Sequence, residues 1–307
     1  MTPRIIPRPL KPGDRIAILS PASIIKPQTV YEAIPVIADQ GWTVYVGEHT
    51  FDRHGTYAGT DEARYADLET ALTDPDTRAI ICSRGGYGSV HLLERLAKLP
   101  LEDDPKWIVG YSDITALHGL MNSRGIASIH APMCKHIAEN SGRDQDSRRL
   151  FELLSGINEP VSLGRNPMNR PGRATGRLMG GNLAVAAGLI STPYCPLLPD
   201  TIMFIEDVNE PIYKVERILY QLDLNGTLGS LRGLIVGRFT DYTPDRDNRT
   251  MEEMVARLVE RYDYPVVYGA PIGHVSHNIP MLCGAEATLD VGPSGAMLYP
   301  AAPDAEQ

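Results

Sequence analysis

The feature that most constrains the fold is the regular alternation of short apolar runs with segments of helical periodicity through the first 130 residues. Arg15–Leu19 is an apolar run closed by Ser20-Pro21, and positions from about Thr29 to Gln40 then recur at helical spacing before stopping at Gly41. Trp42–Val46 is the next strand-like run, followed by a helical pattern over about Asp61–Leu72. The strand Arg78–Cys82 comes next, then a glycine-rich loop and a helical pattern over about Val90–Lys98. Trp107–Val109 stops at Gly110, with Leu117, Leu120 and Met121 at helical spacing beyond, and Ile126–His130 is a further short strand. Strands separated in this way by helices predict a mostly parallel sheet covered on both faces, and such sheets carry their sites at the carboxyl ends of the strands. Arg84-Gly85-Gly86-Tyr87-Gly88 and Tyr111-Ser112-Asp113 both lie at such ends.

At 307 residues the chain is long enough for two domains. Periodicity is lost from about Asn158 to Arg173, where Pro160, Gly164, Pro167, Pro171 and Gly172 accumulate, so 158–173 is expected to be a linker between an N-terminal domain, 1–157, and a C-terminal domain, 174–307. The second half continues with Gly180-Gly181-Asn182-Leu183, a small-residue helix to Ile190, and a strand over Thr201–Ile205. A helix over about Tyr213–Leu222, a strand at Leu234–Arg238 and a helix over about Met251–Tyr262 follow, with strands at Pro265–Tyr268 and Ala287–Val291 closing the pattern.

A formal charge of -9 argues against nucleic acid as a partner. Prolines interrupt the first nine residues where a signal peptide needs a continuous apolar core, and no stretch approaches the ~20 apolar residues of a membrane span, so a cytoplasmic protein with no membrane partner is expected. Cys82, Cys134, Cys195 and Cys283 are widely separated, which indicates buried free thiols rather than a metal site or disulfides.

Ser112 is placed on a tight strand-to-helix turn, where its hydroxyl stands clear of the sheet and the amides of the first helical turn, Asp113 first, face anything bonded to it. That suits a nucleophile which then needs an oxyanion stabilised; it also suits a plain N-cap. The glycine loop reads equally as a tight turn or as an anion cradle, and it lacks the spacing of a nucleotide motif. One of its amides and that of Asp113 would make a two-donor oxyanion hole. Glu206 directly follows an apolar strand and is the least solvated of the carboxylates in Glu206-Asp207-Val208-Asn209-Glu210, so it is the one suited to orienting a histidine. His274, in a proline-punctuated loop after the 265–268 strand, is a candidate base for which His118, His130, His136 and His277 compete, and spacing does not choose between His274 and His277. His118, nearly two helical turns beyond Ser112, is too far along its helix to reach the hydroxyl.

Taken together, Arg84-Gly85-Gly86-Tyr87-Gly88, Gly110-Tyr111-Ser112-Asp113, Gly180-Gly181-Asn182-Leu183, Glu206-Asp207-Val208 with Glu210 and Tyr213, and Gly273-His274 with Asn278 and Pro280 resemble, in order, the blocks of the LD-carboxypeptidase family. The resemblance implies a Rossmann-like N-terminal domain and a smaller C-terminal α/β domain. It implies Ser112 as nucleophile, His274 as base, Glu206 as its orienting carboxylate, and the amides of Gly86 and Asp113 as the oxyanion hole. The implied substrate is a small murein-derived peptide cut beside a free C-terminal carboxylate, releasing D-alanine; by charge and position, Arg84 or the neighbouring amide of Gly85 is expected to hold that carboxylate. A homodimer without metal or cofactor is expected. Ile279-Pro280-Met281-Leu282-Cys283-Gly284 departs from the family pattern by one extra residue before the glycine. The alternatives are a microcin-immunity-type hydrolase of peptidyl or aminoacyl nucleotides, a non-catalytic two-domain binder of a small anionic ligand, and an acyltransferase built on the same residues.

Overall fold

The computed structural model describes residues 5–247 and 249–300, so the first four residues of the expected N-terminal domain and the last seven of the C-terminal domain lie outside the described residues. In chain order the elements are β1 (Arg15–Leu19), α1 (Pro27–Ala38), β2 (Thr43–Val46), α2 (Asp61–Thr73), β3 (Thr77–Cys82), α3 (Leu93–Leu96), β4 (Trp107–Gly110), α4 (Thr115–Ser123), β5 (Ser128–His130), α5 (Cys134–Glu139) and α6 (Gln145–Leu154). They continue with β6 (Val161–Gly164), β7 (Gly172–Asn182), α7 (Leu183–Ala187), β8 (Thr201–Val208), α8 (Ile212–Leu224), β9 (Gly233–Thr240), α9 (Met251–Val259), β10 (Val266–Tyr268), β11 (Met281–Cys283), β12 (Glu286–Gly292) and β13 (Gly295–Pro300).

The chain divides into two compact units. The first runs to Ile157 and also takes in 191–195 and 278–283. Its six-stranded sheet has the order β11-β5-β4-β3-β1-β2, parallel from β2 to β5, with β11 added antiparallel at the β5 edge. The parallel order 2-1-3-4-5 reverses direction between β1 and β3, which is where open sheets of this kind bind ligands. The loop after β1, with Ser23, and the loop after β3, with Gly85, meet there: the Ser23 amide donates to the Gly85 carbonyl at 3.4 Å. Ile16, Ile18, Ile81 and Val109 are fully buried against Val30, Ile37, Leu150 and Leu154, and burial of side chains of this size contributes about 1.5–3 kcal/mol each.

The second unit comprises 158–190, 196–277 and the residues from Gly284 on. Its seven-stranded sheet has the order β10-β9-β8-β7-β12-β13-β6, parallel from β7 to β10 and antiparallel through β12, β13 and β6. Segment 158–173, expected as a linker, instead contains β6, paired to β13, and the start of β7. Its glycines and prolines occur in and around an edge strand whose pairing partner comes only from the chain's end, and such a strand has little local signal. The piece 278–283 likewise departs from a simple division at 157, because β11 completes the first sheet. Cys82, Cys134 and Cys283 are buried as expected, whereas Cys195 is only partly so.

Candidate active site

In the first unit the site is built on the end of β4. Tyr111 is extended and Ser112 turns into the left-handed region at φ +64, opening a single 3-10 turn, Ser112–Ile114, ahead of α4. A non-glycine residue pays roughly 1–2 kcal/mol to sit there, and such strain collects at functional positions. No side-chain cap bond closes either the 3-10 turn or α4, so the N-cap reading of Ser112 is not realised. Asp113 is buried, and its carboxylate accepts the Ser89 amide at 2.8 Å, fastening the turn to the far end of the glycine loop.

The other side of Ser112 is the loop itself. A methyl group at Gly85 would lie 2.8 Å from the Ser112 Cβ and 3.0 Å from its Oγ, so the loop backbone passes directly against the serine, and only glycine permits it. The Tyr87 amide donates to the Ser23 hydroxyl at 3.2 Å, holding the loop from the β1 side. Gly86 thus sits in a loop fixed at both ends. Arg84 is exposed, with its guanidinium donating to the Ile24 carbonyl at 3.0 Å. Ser23 was not among the sequence candidates; the only signal available was its place just after a strand closed by Ser20-Pro21.

In the second unit, β8 is buried throughout up to Asp207. The register of β8 against β9 shifts at Glu206: Ile205 pairs with Val236 and Asp207 with Phe239, so two residues of β9, Gly237 and Arg238, oppose the single Glu206. Bulges of this kind re-aim a side chain. The Glu206 side chain is wholly buried and its Oε2 lies 2.8 Å from His274 Nδ1. His274 reaches it because a methyl at Gly273, whose φ is +114, would fall 2.5 Å from that same carboxylate oxygen. The Glu206–His274 pair forms within one unit, and His277, exposed further along the loop, is not the residue at Glu206.

A carboxylate only accepts, so Nδ1 of His274 donates and Nε2 is left as the basic nitrogen. Burial opposes the imidazolium, but the bond to Glu206 and the charges of Glu206, Asp207 and Asp241 outweigh it, raising the His274 pKa above the ordinary imidazole value. Asp207, next in the chain, has a different task. It accepts from the Asn182 side chain at 2.9 Å and from the Ala184 amide at 2.8 Å, fixing the start of α7. Burial pushes its pKa up to about 6, despite the bonds from Val208, Ala184 and Asn182.

His118 and His136, and the buried thiols Cys134 and Cys283, are engaged elsewhere. His136 pairs with Asp144 at 2.9 Å, and His118 is buried beneath the β4 turn. Burial pushes the Cys134 and Cys283 thiols up to about 12, which removes them as nucleophiles. Among the described residues one group, His136, Asp144 and Asp146, has its ligand atoms within 4.8 Å of one another. Asp144 caps α6 while bonding His136, and Asp146 accepts the Asn278 amide at 2.8 Å, so hydrogen bonding accounts for the cluster.

A largely parallel sheet bearing a serine on a strained turn, and a second sheet bearing a buried carboxylate–imidazole pair, make this a two-domain α/β protein that carries the groups a serine hydrolase uses. The chain belongs to the LD-carboxypeptidase family: residues 16–131 match its N-terminal domain and 175–289 its C-terminal domain. It is 30% identical over 90% of its length to the murein tetrapeptide carboxypeptidase of Pseudomonas aeruginosa, covering 93% of that protein. The crystal structure of muramoyltetrapeptide carboxypeptidase from Oxalobacter formigenes superposes with a TM-score of 0.81 at 28% identity, covering 93% of this chain and 99% of that one. The microcin C7 self-immunity protein MccF in its wild-type apo state shares the fold at a TM-score of 0.83 and 21% identity, covering 97% of this chain and 99% of that one. Among the described residues no helix is long and apolar enough to cross a membrane.

Proposed function

We propose that the chain is a serine LD-carboxypeptidase that releases D-alanine from murein tetrapeptides. The observation that carries the reading is the buried Glu206–His274 pair at 2.8 Å, which presents a basic Nε2, in a family whose other domain here holds Ser112 at φ +64 against Gly85. Ser112 Oγ attacks the carbonyl carbon of the scissile amide while His274 Nε2 takes its proton. The tetrahedral oxyanion accepts from the amides of Gly86 and Asp113. Collapse breaks the C–N bond as His274 returns the proton to the departing D-alanine amine, and water, deprotonated by the same imidazole, then hydrolyses the Ser112 ester. Glu206 keeps the imidazole in its Nδ1–H tautomer and stabilises the imidazolium. The exposed Arg84 and the backbone at Gly85 receive the substrate's terminal carboxylate, which is what restricts cleavage to the last residue.

The similarity to a murein tetrapeptide carboxypeptidase and to a muramoyltetrapeptide carboxypeptidase supports this substrate, whereas the likeness to MccF lies in the fold. The expectations of a cytoplasmic homodimer go with the reading, and light scattering reads the assembly directly. The deciding experiment follows D-alanine release from a murein tetrapeptide by wild type and by Ser112→Ala. The variant is expected to lose on the order of 10⁶-fold in turnover; near wild-type release would end the proposal. Aminoacyl-sulfamoyl adenosine hydrolysed in preference to the tetrapeptide would move the activity to the microcin-immunity type. Failure of a serine-directed phosphonate to label wild type would favour a binding protein.

A further inference from the structure

His118 is a buried ionisable group that the proposed chemistry does not use. It lies on α4, six residues beyond Ser112, at 1% exposure. Its Nε2 is 2.8 Å from the Gly110 carbonyl oxygen and its Nδ1 is 2.9 Å from the Ser128 hydroxyl. A carbonyl only accepts, so Nε2 carries the proton and Nδ1 accepts from Ser128. Behind Ser128 stands Asn122, whose amide donates to the Ile126 carbonyl at 3.0 Å and reaches the Ser128 hydroxyl at 3.5 Å. Burial lowers the His118 pKa to about 4, against the pull of the Gly110 carbonyl, so the ring is neutral in this network.

The acceptor is what gives the network meaning. Gly110 is the last residue of β4, and only the extended Tyr111 separates it from the left-handed Ser112. The Gly110 carbonyl also accepts the Ala131 amide at 3.1 Å, so it is gripped from the end of β5 and from α4 at once. A strained φ persists only where the surroundings over-determine it, and the peptide plane after Gly110 is the base from which the turn to Ser112 springs. A phenylalanine or leucine would fill the same space but would take from the Gly110 carbonyl a donor and from the buried Ser128 hydroxyl its acceptor. The polar ring is there for the carbonyl it holds.

We infer that His118 is a positioning residue for the nucleophile: its Nε2–H bond to the Gly110 carbonyl, backed by Ser128, keeps the end of β4 oriented so that Ser112 stays in its left-handed conformation against Gly85. The inference rests on the reading of Ser112 as nucleophile. His118→Phe keeps the bulk and removes the donor, and His118→Gln returns an N–H donor. In His118→Phe kcat falls about tenfold to a hundredfold, the range for a displacement of up to ~1 Å, with KM within about twofold and phosphonate labelling of Ser112 slowed in parallel. His118→Gln recovers most of the loss in both readouts. A role in packing alone predicts wild-type kcat per folded molecule in His118→Phe, or a glutamine variant no better than phenylalanine, and either result overturns the inference. Should His118→Phe fail to fold, nitrogen-15 imidazole spectra of the wild-type protein decide: protonated Nε2 with bare Nδ1 upholds the bond to Gly110, and the opposite tautomer refutes it. Full activity in Ser112→Ala would instead sink the nucleophile reading, whereas an inactive Ser112→Ala beside an unimpaired His118→Phe would sink this inference alone.

Discussion

Gly85→Ala isolates the contact between the glycine loop and the serine. The added methyl would lie 2.8 Å from the Ser112 Cβ, 3.0 Å from its Oγ and 3.2 Å from the Tyr111 carbonyl oxygen. Carbon atoms pack at about 3.5–4.0 Å, so the serine side chain or the loop must give by roughly 0.7–1.2 Å. Gly85 is not among the residues with positive φ, so no backbone strain is added and the effect is steric alone. A displacement of ~1 Å at a reacting atom costs about 10²-fold in rate, equivalent to about 2.7 kcal/mol of barrier. Overpacking of this kind lowers stability by about 1–3 kcal/mol, which leaves the protein folded at room temperature. The assay is kcat/KM for tetrapeptide hydrolysis together with the rate of phosphonate labelling at Ser112, both per folded molecule. Gly292→Ala is the control, since a methyl there meets nothing within 4 Å. Gly85→Ala within threefold of wild type in both rates would refute the claim that the loop backbone sets the position of Ser112.

Glu206→Gln leaves His274 Nδ1 facing an amide that no longer enforces the tautomer, and kcat is expected to fall about 10⁴-fold, read from D-alanine release. In wild type the base must be neutral, so kcat/KM rises with pH through a midpoint above the ordinary imidazole value, and a midpoint below it would contradict the geometry. The stability counterpart has a definite sign: with a raised folded pKa, the contribution of the Glu206–His274 pair is full below the unfolded imidazole value and fades as pH rises through the folded one. Melting curves of wild type and Glu206→Gln should therefore converge on the alkaline side. Gly273→Ala drives a methyl to 2.5 Å from the Glu206 carboxylate at a φ of +114, so it should lower both the melting temperature and kcat, with no rescue at higher pH. Asp113→Ala strands the Ser89 amide now bonded at 2.8 Å and should cost about 1–3 kcal/mol in denaturant unfolding.

What the sequence makes legible follows from which signals are local. The strands Ile16–Leu19, Ala79–Cys82 and Ile202–Ile205 are short continuous apolar runs because both their faces are covered, and Ser112 is conspicuous because an apolar run, a glycine and a helical pattern meet there. The choice between His274 and His277 was not local. It depends on a bulge that turns Glu206 and on the space left by Gly273, and periodicity encodes neither. β6 and β13 were missed because each is an antiparallel strand defined by its partner, and 278–283 was missed because a three-residue strand acquires its identity only on pairing with β5. Residue type alone does not separate Ser112 as nucleophile from Ser112 as cap; the positive φ and the missing cap bond are properties of the folded backbone.

The proposed chemistry requires His274 as the base for Ser112. The second-order rate at which a phosphonate modifies Ser112 in wild type and in His274→Ala tests it directly. Adducts on the Ser112 peptide in wild type, with labelling slowed at least a thousandfold in the variant, on the order of other activated-serine systems, are the predicted result. Labelling of His274→Ala at the wild-type rate would contradict it.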